Sequence, residues 1–240
     1  MRPIILITIT IVLLFAGCAK NTTVMTGNEK LALADELFAK GKFARAAELY
    51  GDVYFERSTA STAYALTRQA ESYFKINKFS DARTAYEEFT EAFPQHQDVG
   101  TAYFKIGVCL FEESLGAEYD QTETLASIEA FRSFVSKYPN DPRFQDALAY
   151  IRSAQYKLIE KRYLNGYIHY KMKDYSAALM YFDEVIALGN TDRLDRESLY
   201  YSALLHLKQK NPDAARASFE LIKSKYPGSK ETRKLQKHFK

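Results

Sequence analysis

Two cysteines and two regularly placed histidines are the residues of this sequence best suited to chemistry. A thiol can be acylated, oxidised or bound to a metal, and two imidazoles can share a metal ion. Cys18 ends an apolar N-terminal run, whereas Cys109 lies near the middle of the chain. His169 and His206 each follow a small residue by three positions, so they could approach each other. What these groups do depends on the elements that position them.

Catalytic motifs are absent from the sequence. It contains no glycine-rich phosphate loop, no His-Glu-x-x-His motif and no paired metal-ligand spacing. The two histidines stand at equivalent positions of a repeated pair of helices, where such a repeat normally packs an aromatic ring. The carboxylate pairs Glu87-Glu88 and Glu112-Glu113 are adjacent and diverge on a helix. We therefore expect no enzymatic activity, no cofactor and no metal site.

Residues 1–17 have the features of a signal peptide. Arg2 supplies a positive charge, the run from Ile4 to Phe15 is apolar, and Phe15-Ala16-Gly17-Cys18 forms a processing site. The apolar run is shorter than the roughly 20 residues that a membrane-spanning helix needs. We therefore expect this segment to be removed and the rest of the chain to be exported.

The processing site resembles the bacterial lipobox, in which leucine is commoner than phenylalanine at the position of Phe15. The resemblance implies cleavage before Cys18 and a lipid anchor on that residue. Ordinary secretory cleavage, which would leave a free cysteine, is the alternative. Ala19 rather than Asp follows Cys18, which in such lipoproteins is typical of an outer-membrane address on the periplasmic side. Residues 18–28 are predicted to form the acylated start and a flexible tether.

Net charge and cysteine content argue against a nucleic-acid-binding protein and against a protein stabilised by disulfides. Without Arg2 the chain carries 32 basic and 30 acidic residues, so nothing indicates a nucleic-acid partner. Cys109 is the one thiol besides Cys18, so an intrachain disulfide framework is excluded. Cys109 lies two residues after Gly107, and we expect it to pack in the core.

The stretch from Tyr103 to Pro139 carries one complete helical repeat. It reads Y-x2-I-G-x2-L from Tyr103 and then, after an interruption, S-x3-F-x7-P up to Pro139. This is the pattern of the tetratricopeptide repeat, a hairpin of two helices that occupies about 34 residues. The small Gly107 lets the second helix approach the first, Phe131 fills the space between hairpins, and Pro139 ends the second helix.

The same pattern recurs five times. Each unit has a small residue in its first helix, a small residue in its second helix, and an aromatic residue four positions after the latter. The first-helix residues are Ala34, Ala70, Gly107, Gly166 and Ala203; the second-helix pairs are Ala46 and Tyr50, Ala82 and Tyr86, Ser127 and Phe131, Ala178 and Phe182, and Ala215 and Phe219. The sequence therefore predicts an all-α superhelix, or solenoid, of five helical hairpins.

Three departures from regular spacing divide the solenoid. Residues 112–123 insert into the third hairpin, and we expect an ordered loop on the concave side that buries Leu115 and Tyr119. Arg143 to Lys173 predicts one unusually long helix, or two nearly continuous ones. Ser229 to Lys240 predicts an amphipathic capping helix. The N-terminal repeats should thus span residues 29–141, and the C-terminal repeats with their cap residues 142–240.

Five units with an insertion in the third, behind a lipobox, resemble the BamD family of outer-membrane assembly lipoproteins. The most specific stretch begins with Asp120-Gln121-Thr122-x-Thr124 and continues through Ala126, Ala130-Phe131 and Phe134 to Tyr138-Pro139-Asn140. The resemblance implies an accessory subunit of the machine that folds β-barrel proteins into the outer membrane, alongside other assembly lipoproteins. It also implies that the C-terminal repeats dock on the barrel subunit's periplasmic domains. The N-terminal repeats would bind the C-terminal segments of unfolded clients.

Two other classes of repeat lipoprotein are alternatives. One is a periplasmic adaptor for cell-wall synthesis, pilus assembly or protease recruitment. The other is a glycan-binding lipoprotein, which would need a large inserted domain that this sequence lacks. A clamp for chaperone tails is disfavoured, because the positions that would need Lys and Asn hold Thr67 and Glu71 in the second repeat.

Aromatic residues at outward-facing positions of the first helices define two candidate surfaces. They indicate either a peptide groove or a groove filled by the chain's own insertions. The candidate client groove comprises Tyr64, Phe74, Lys75, Phe104, Val108 and Phe111, and the candidate barrel-subunit side comprises Tyr163, Tyr167, Tyr170 and Lys171. Lys75 could pair with a terminal carboxylate.

Overall fold

The computed structural model describes residues 25–57 and 61–239, which form eleven helices. Ten of them make five consecutive hairpins, and the last is a short cap. The helices are α1 Gly27–Ala39, α2 Phe43–Glu56, α3 Thr62–Lys75, α4 Phe79–Ala92, α5 Val99–Glu113, α6 Thr122–Lys137, α7 Phe144–Met172, α8 Tyr175–Ala187, α9 Arg193–Lys208, α10 Pro212–Lys225 and α11 Lys230–Gln236. The predicted all-α solenoid of tetratricopeptide-like hairpins is confirmed.

The repeat positions inferred from the sequence form the core. Every small residue of the pattern is buried, and the five aromatic residues are at most 5% exposed. The reason is steric. A Cβ atom placed on Gly107 would lie 2.8 Å from the ring of Phe131, and one on Gly166 would lie 2.9 Å from the ring of Phe182. A small residue is therefore required wherever an aromatic ring of the second helix crosses the first.

Cys109 packs in the core, as the sequence predicted. It is fully buried among residues of α3, α4 and α5. Burial raises the pKa of its thiol to about 12, so the thiolate needed for nucleophilic reactivity is disfavoured.

Helix α7 is continuous over 29 residues, which confirms the predicted long helix. Asn165 and Gly166 do not break it. Its N-terminal half packs on α5 and α6 through Ala147, Ile151 and Ala154. Its C-terminal half forms the fourth hairpin with α8, where Tyr163 and Phe182 share a cluster. One helix thus belongs to the cores of two successive repeats.

Both ends of the solenoid differ from the prediction. The tether predicted to run to residue 28 ends earlier, because Thr26 and Glu29 form a capping box that starts α1 at Gly27. The capping helix predicted to run to residue 240 ends at Gln236. Beyond it the ring of Phe239 stacks on Phe219 at 4.7 Å between centroids, a contact that draws the chain away from the helical path.

The insertion is an eight-residue loop, residues 114–121, but its packing differs from the prediction. Leu115 and Tyr119 are 51% and 58% exposed rather than buried. The loop instead buries Ala117 and Gln121, and the Gln121 amide donates hydrogen bonds to three carbonyl oxygens of the loop. Lys161 of α7 donates to the carbonyl oxygens of residues 118 and 119 at 2.9 and 3.1 Å. Polar contacts to α7 therefore hold the loop in place.

Among the described helices, none combines the length and the apolar character that a membrane crossing requires.

Candidate functional site

Cys18, the predicted lipidation site, lies outside the described residues. The residues of both candidate surfaces on the repeats are described. Some of these residues are accessible, and others are buried.

Tyr64 is an accessible member of the candidate client groove. It lies on the first turn of α3 and is 42% exposed. Its hydroxyl donates a 2.8 Å hydrogen bond to Asp35 of α1, and Tyr50 donates to the same carboxylate oxygen at 2.6 Å. Because two hydroxyl groups converge on Asp35, the first repeat fixes the orientation of the Tyr64 ring.

Beside Tyr64, a cavity of about 270 Å³ opens between the second and third repeats. We call it the inter-repeat cavity. Residues from α3, α4 and α5 and from the turn before α5 line it: Tyr64, Thr67, Arg68, Glu71, Tyr86, Asp98, Thr101, Ala102 and Lys105. Aromatic rings, hydroxyl groups, two cationic side chains and two carboxylates thus face one partly open space.

Arg68 contributes one of the two cations. Its guanidinium carbon lies 3.5 Å from the centroid of the Phe38 ring, a cation–π contact with the first repeat. One terminal nitrogen pairs with Glu71 at 2.5 Å. The buried Nε has no hydrogen-bond partner among the described residues. Arg68 is therefore held in position but retains an unused donor.

Lys105 contributes the second cation. It is half-buried on α5, and its Nζ lies 4.0 Å from the centroid of the Phe74 ring. Burial lowers the pKa of this ammonium group, and the nearby Glu71 carboxylate opposes the shift. In the described part of the chain Lys105 makes no ion pair with a carboxylate. A charge that is partly desolvated and unpaired favours the arrival of an anion.

The remaining groove residues do not face this cavity. Lys75 is exposed at the end of α3 and is not among the cavity residues. The half-buried Phe74 packs edge-on against Phe79 at 5.4 Å between centroids. The carboxylate-binding role that the sequence suggested for Lys75 thus fits the position of Lys105 better.

Phe104 and Val108 are 8% and 4% exposed, so of the two alternatives that the sequence left open they fit a groove filled by the chain itself rather than an open peptide groove. The N-terminal half of α7 covers them: the ring of Tyr150 lies 6.1 Å from that of Phe104. Tyr150 also lies 5.1 Å from Phe111, which is only half-buried. In the third repeat, then, the chain's own long helix fills the groove.

On the C-terminal side, Tyr163 must also be removed from the accessible set. It is 7% exposed in the core between α7 and α8. Tyr167 and Tyr170 are half-buried and pack against Tyr201 of α9 at 5.5 and 5.0 Å between centroids. Lys171 is exposed, with its Nζ 5.7 Å from the centroid of Tyr167. Tyr167, Tyr170 and Lys171 therefore form an accessible, tyrosine-rich surface.

Arg68 and Lys105 were not predicted from the sequence, although a signal for them is present. Arg68 precedes Ala70 by two positions, and Lys105 precedes Gly107 by two positions, so both occupy the same place in consecutive repeats. That place was not among the outward-facing positions considered. The recurrence of a basic residue at that place in two consecutive repeats is the signal from which the cavity could have been predicted.

The chemistry available in this cavity is recognition. Glu71 pairs with Arg68, so Lys105 is the lining cation without an ion pair, and with the hydroxyl groups and aromatic walls it can meet a carboxylate attached to an apolar or aromatic group. Over the residues that the structure describes, no cluster of three or more potential metal ligands is found. His169 stacks on Tyr181 at 5.5 Å and has Asp174 3.3 Å away.

Comparison with known proteins gives two family matches. Residues 20–188 match the family described as outer membrane lipoprotein YfiO. Residues 163–230 match a tetratricopeptide repeat family. The first match covers well over half of the chain and includes the inter-repeat cavity.

Curated relatives agree with the first match. A protein of Rickettsia prowazekii named outer membrane protein assembly factor BamD is 26% identical, over 85% of this chain and 80% of the relative. A Caulobacter vibrioides protein of the same name is 24% identical, over 90% of this chain and 72% of the relative. One from Neisseria meningitidis is 26% identical, over 94% and 92% respectively.

Proposed function

Since this chain belongs to the YfiO family of outer membrane lipoproteins, which is also the family of the BamD assembly factors, we propose that it is a non-enzymatic subunit of the machinery that assembles β-barrel proteins in the outer membrane. The relatives that carry the assembly-factor name align with most of the solenoid, including the insertion and the long helix. A lipid on Cys18 would hold the repeats at the periplasmic face of that membrane.

The inter-repeat cavity is the observation that carries the second part of the proposal: it binds the C-terminal residue of an unfolded barrel client. Such clients typically end in an aromatic residue followed by the terminal carboxylate. Lys105 supplies positive charge for the carboxylate, and Tyr64 supplies an exposed ring at the same cavity. Charge-assisted hydrogen bonds to a carboxylate are stronger than neutral ones.

The size of the cavity limits what it recognises. Its volume of about 270 Å³ is just below the usual range of ligand pockets, so it suits one residue rather than a long segment. Burying one aromatic side chain contributes about 2 kcal/mol before ordering costs are subtracted. We therefore expect weak binding, with a Kd in the micromolar range or above. Weak binding suits a step in which clients must be released.

The C-terminal repeats serve the other half of the function. We place the contact with the barrel subunit's periplasmic domains on the tyrosine-rich surface of Tyr167, Tyr170 and Lys171. Half-buried tyrosines lose little conformational entropy on binding and offer both ring and hydroxyl contacts, which is why they are enriched in interface centres. This surface lies on α7, well separated in sequence from the cavity residues of α3 and α5.

Co-purification from detergent-solubilised outer membranes tests the assembly role. The full-length chain should recover a large β-barrel subunit. Replacement of both Tyr167 and Tyr170 by Ala should reduce that recovery several-fold, whereas Tyr64→Ala should leave it unchanged. Recovery of cell-wall, pilus or protease components in place of a barrel subunit would show that the chain is a different kind of adaptor.

A further inference from the structure

Helix α7 is longer than α6, the helix that packs against it, so the C-terminal half of α7 extends beyond α6. Helix α6 has 16 residues and packs against the N-terminal half of α7, which has 29. The insertion loop covers the next turn, around Lys157 and Lys161. Beyond that turn, one side of α7 meets no other helix. We call this side the overhang face; it comprises Lys161, Asn165, Ile168 and Met172.

The other repeats show what normally covers this side. The position two residues after the small residue of the first helix faces the second helix of the preceding repeat. It is Ser72, Cys109 and Leu205 in the second, third and fifth repeats, and all three are fully buried. In the fourth repeat this position is Ile168, which is 53% exposed. The fourth repeat therefore lacks the helix that its neighbours receive from the preceding repeat.

The first repeat is an internal control, because no repeat precedes it among the described residues. Its corresponding residue is Glu36, whose side chain is 55% exposed. A polar residue is what the open end of a solenoid requires. The fourth repeat instead places Ile168 there, and Met172, one turn further along, is 70% exposed. An apolar pair on an open side indicates a surface that is covered when the protein is at work.

Three lysines lie along or beside this side of α7. Lys161, Lys171 and Lys173 make no ion pair within the described residues, although Lys161 also donates to two carbonyl oxygens of the loop. Two acidic groups of the same hairpin have a basic neighbour: Glu184 lies 3.6 Å from Arg162, and Asp174 lies 3.3 Å from His169. A partner for this side would therefore carry negative charge beside an apolar strip.

We propose that the overhang face docks an amphipathic α-helix of a partner protein, with acidic residues flanking its apolar stripe. The helix would take the place that the second helix of a preceding repeat occupies elsewhere in the solenoid. Residues 161 to 172 span about 18 Å at 1.5 Å per residue, which is room for about three helical turns. The inference does not depend on client binding in the inter-repeat cavity.

The insertion loop extends the site at one end. Tyr119 and Leu125 are 58% and 54% exposed. Together with Leu158, the basic Lys161 and Arg162 and the acidic Glu118 and Asp120, they line an open cleft of about 670 Å³ between the loop, the start of α6 and α7. The apolar end of a helix lying along the overhang face would enter this cleft. The exposure of Tyr119, which contradicts the burial expected from the sequence, then has a reason.

Site-specific photo-crosslinking in the full-length protein tests the proposal. A benzophenone amino acid replaces Ile168 in one variant and Met180, an equally exposed residue of α8, in the control. In intact cell envelopes, position 168 should crosslink to one protein at least several-fold more than position 180. Mass spectrometry should map the crosslink to a helical segment with acidic residues.

Charge reversal provides a second arm. Replacing Lys173 by Glu should reduce the crosslink yield at position 168 several-fold, whereas Lys42→Glu in the first repeat should leave it unchanged. Equal yields at positions 168 and 180 would overturn the proposal. So would a crosslink at 168 that maps to lipid, to a second copy of this chain, to this chain's own N-terminal segment or to a basic segment. Thermal unfolding confirms that each variant is folded.

Discussion

Gly107 lies against the ring of Phe131, with space for a hydrogen atom but not for a methyl group. A Cβ at residue 107 would lie 2.8 to 3.0 Å from three ring carbons of Phe131. The ring cannot withdraw, because it is fully buried and stacks on Tyr150 at 4.9 Å between centroids. The third hairpin and the long helix are therefore joined through this contact.

Substitution at Gly107 should consequently destabilise the fold. Gly107→Val should lower the free energy of unfolding by about 2–3 kcal/mol, the upper part of the range for overpacked cores. Urea denaturation followed by circular dichroism measures the change. Gly228→Val is the matched control, since a Cβ there has no atom within 4 Å, and it should change stability by less than about 0.5 kcal/mol.

A double variant separates the steric cause from a general loss of helix. Phe131→Leu removes the ring and leaves space above residue 107. The combined variant should therefore lose at least about 1 kcal/mol less than the sum of the two single losses. Additive losses would show that the contact between Gly107 and Phe131 is not the cause.

Asp141 gives the fold a pH-dependent contribution before α7. Its carboxylate accepts hydrogen bonds from Arg143 Nε at 2.8 Å and from a terminal guanidinium nitrogen at 2.6 Å. These bonds hold the pKa of Asp141 below its ordinary value. The unfolded chain therefore binds the proton more tightly, so this stability is present above a pH of about 4 and is lost as the pH falls through the lowered pKa.

Asp141→Asn should cost about 1–2 kcal/mol at neutral pH, the order of a hydrogen bond to a charged group. The difference between the two proteins should shrink as the pH is lowered below about 4. Urea unfolding at neutral and acidic pH measures it, with the exposed Glu220→Gln as control. A difference that stays constant with pH would contradict the assignment.

Cys18 should carry the anchor. Cys18→Ala should move the protein from the membrane to the soluble periplasmic fraction, because acylation supplies the apolar chains that hold it. Fractionation after a high-salt wash measures the distribution. Cys109→Ala should leave the protein on the membrane, since that thiol is buried within the repeats. Retention of Cys18→Ala on membranes that lack its protein partners would contradict the prediction.

Much of the fold could be predicted because the repeat pattern records a steric requirement. Wherever an aromatic ring of the second helix crosses the first, the first must be small, as Ala70 and Gly166 are. Both members of each pair are visible in the sequence, so five hairpins could be placed without coordinates. The starts and ends of helices depend on local caps such as Thr26 and Glu29, and the cap there was overlooked.

The accessible surface was predicted less well, because exposure depends on what lies across a position. Phe104 and Tyr163 occupy outward-facing places in their own hairpins, yet the long α7 covers Phe104, and Tyr163 packs in a cluster with residues of α8 and α9. The repeat pattern describes one hairpin at a time and contains no information on how a long helix crosses its neighbour. Lys105 could not be predicted in this way either, since its place is not among the outward-facing positions of a single hairpin that the repeat pattern indicates.

The binding of a client's C-terminal residue is tested most directly with a short peptide that ends in phenylalanine, compared as the free acid and as the amide. Calorimetric titration measures the affinity of both for the unaltered protein, for Lys105→Met and for Lys75→Met. The account predicts that the free acid binds the unaltered protein and Lys75→Met about tenfold more tightly than the amide, a difference of about 1.4 kcal/mol. Lys105→Met should lose this preference. Equal affinity of acid and amide for all three proteins would contradict the account.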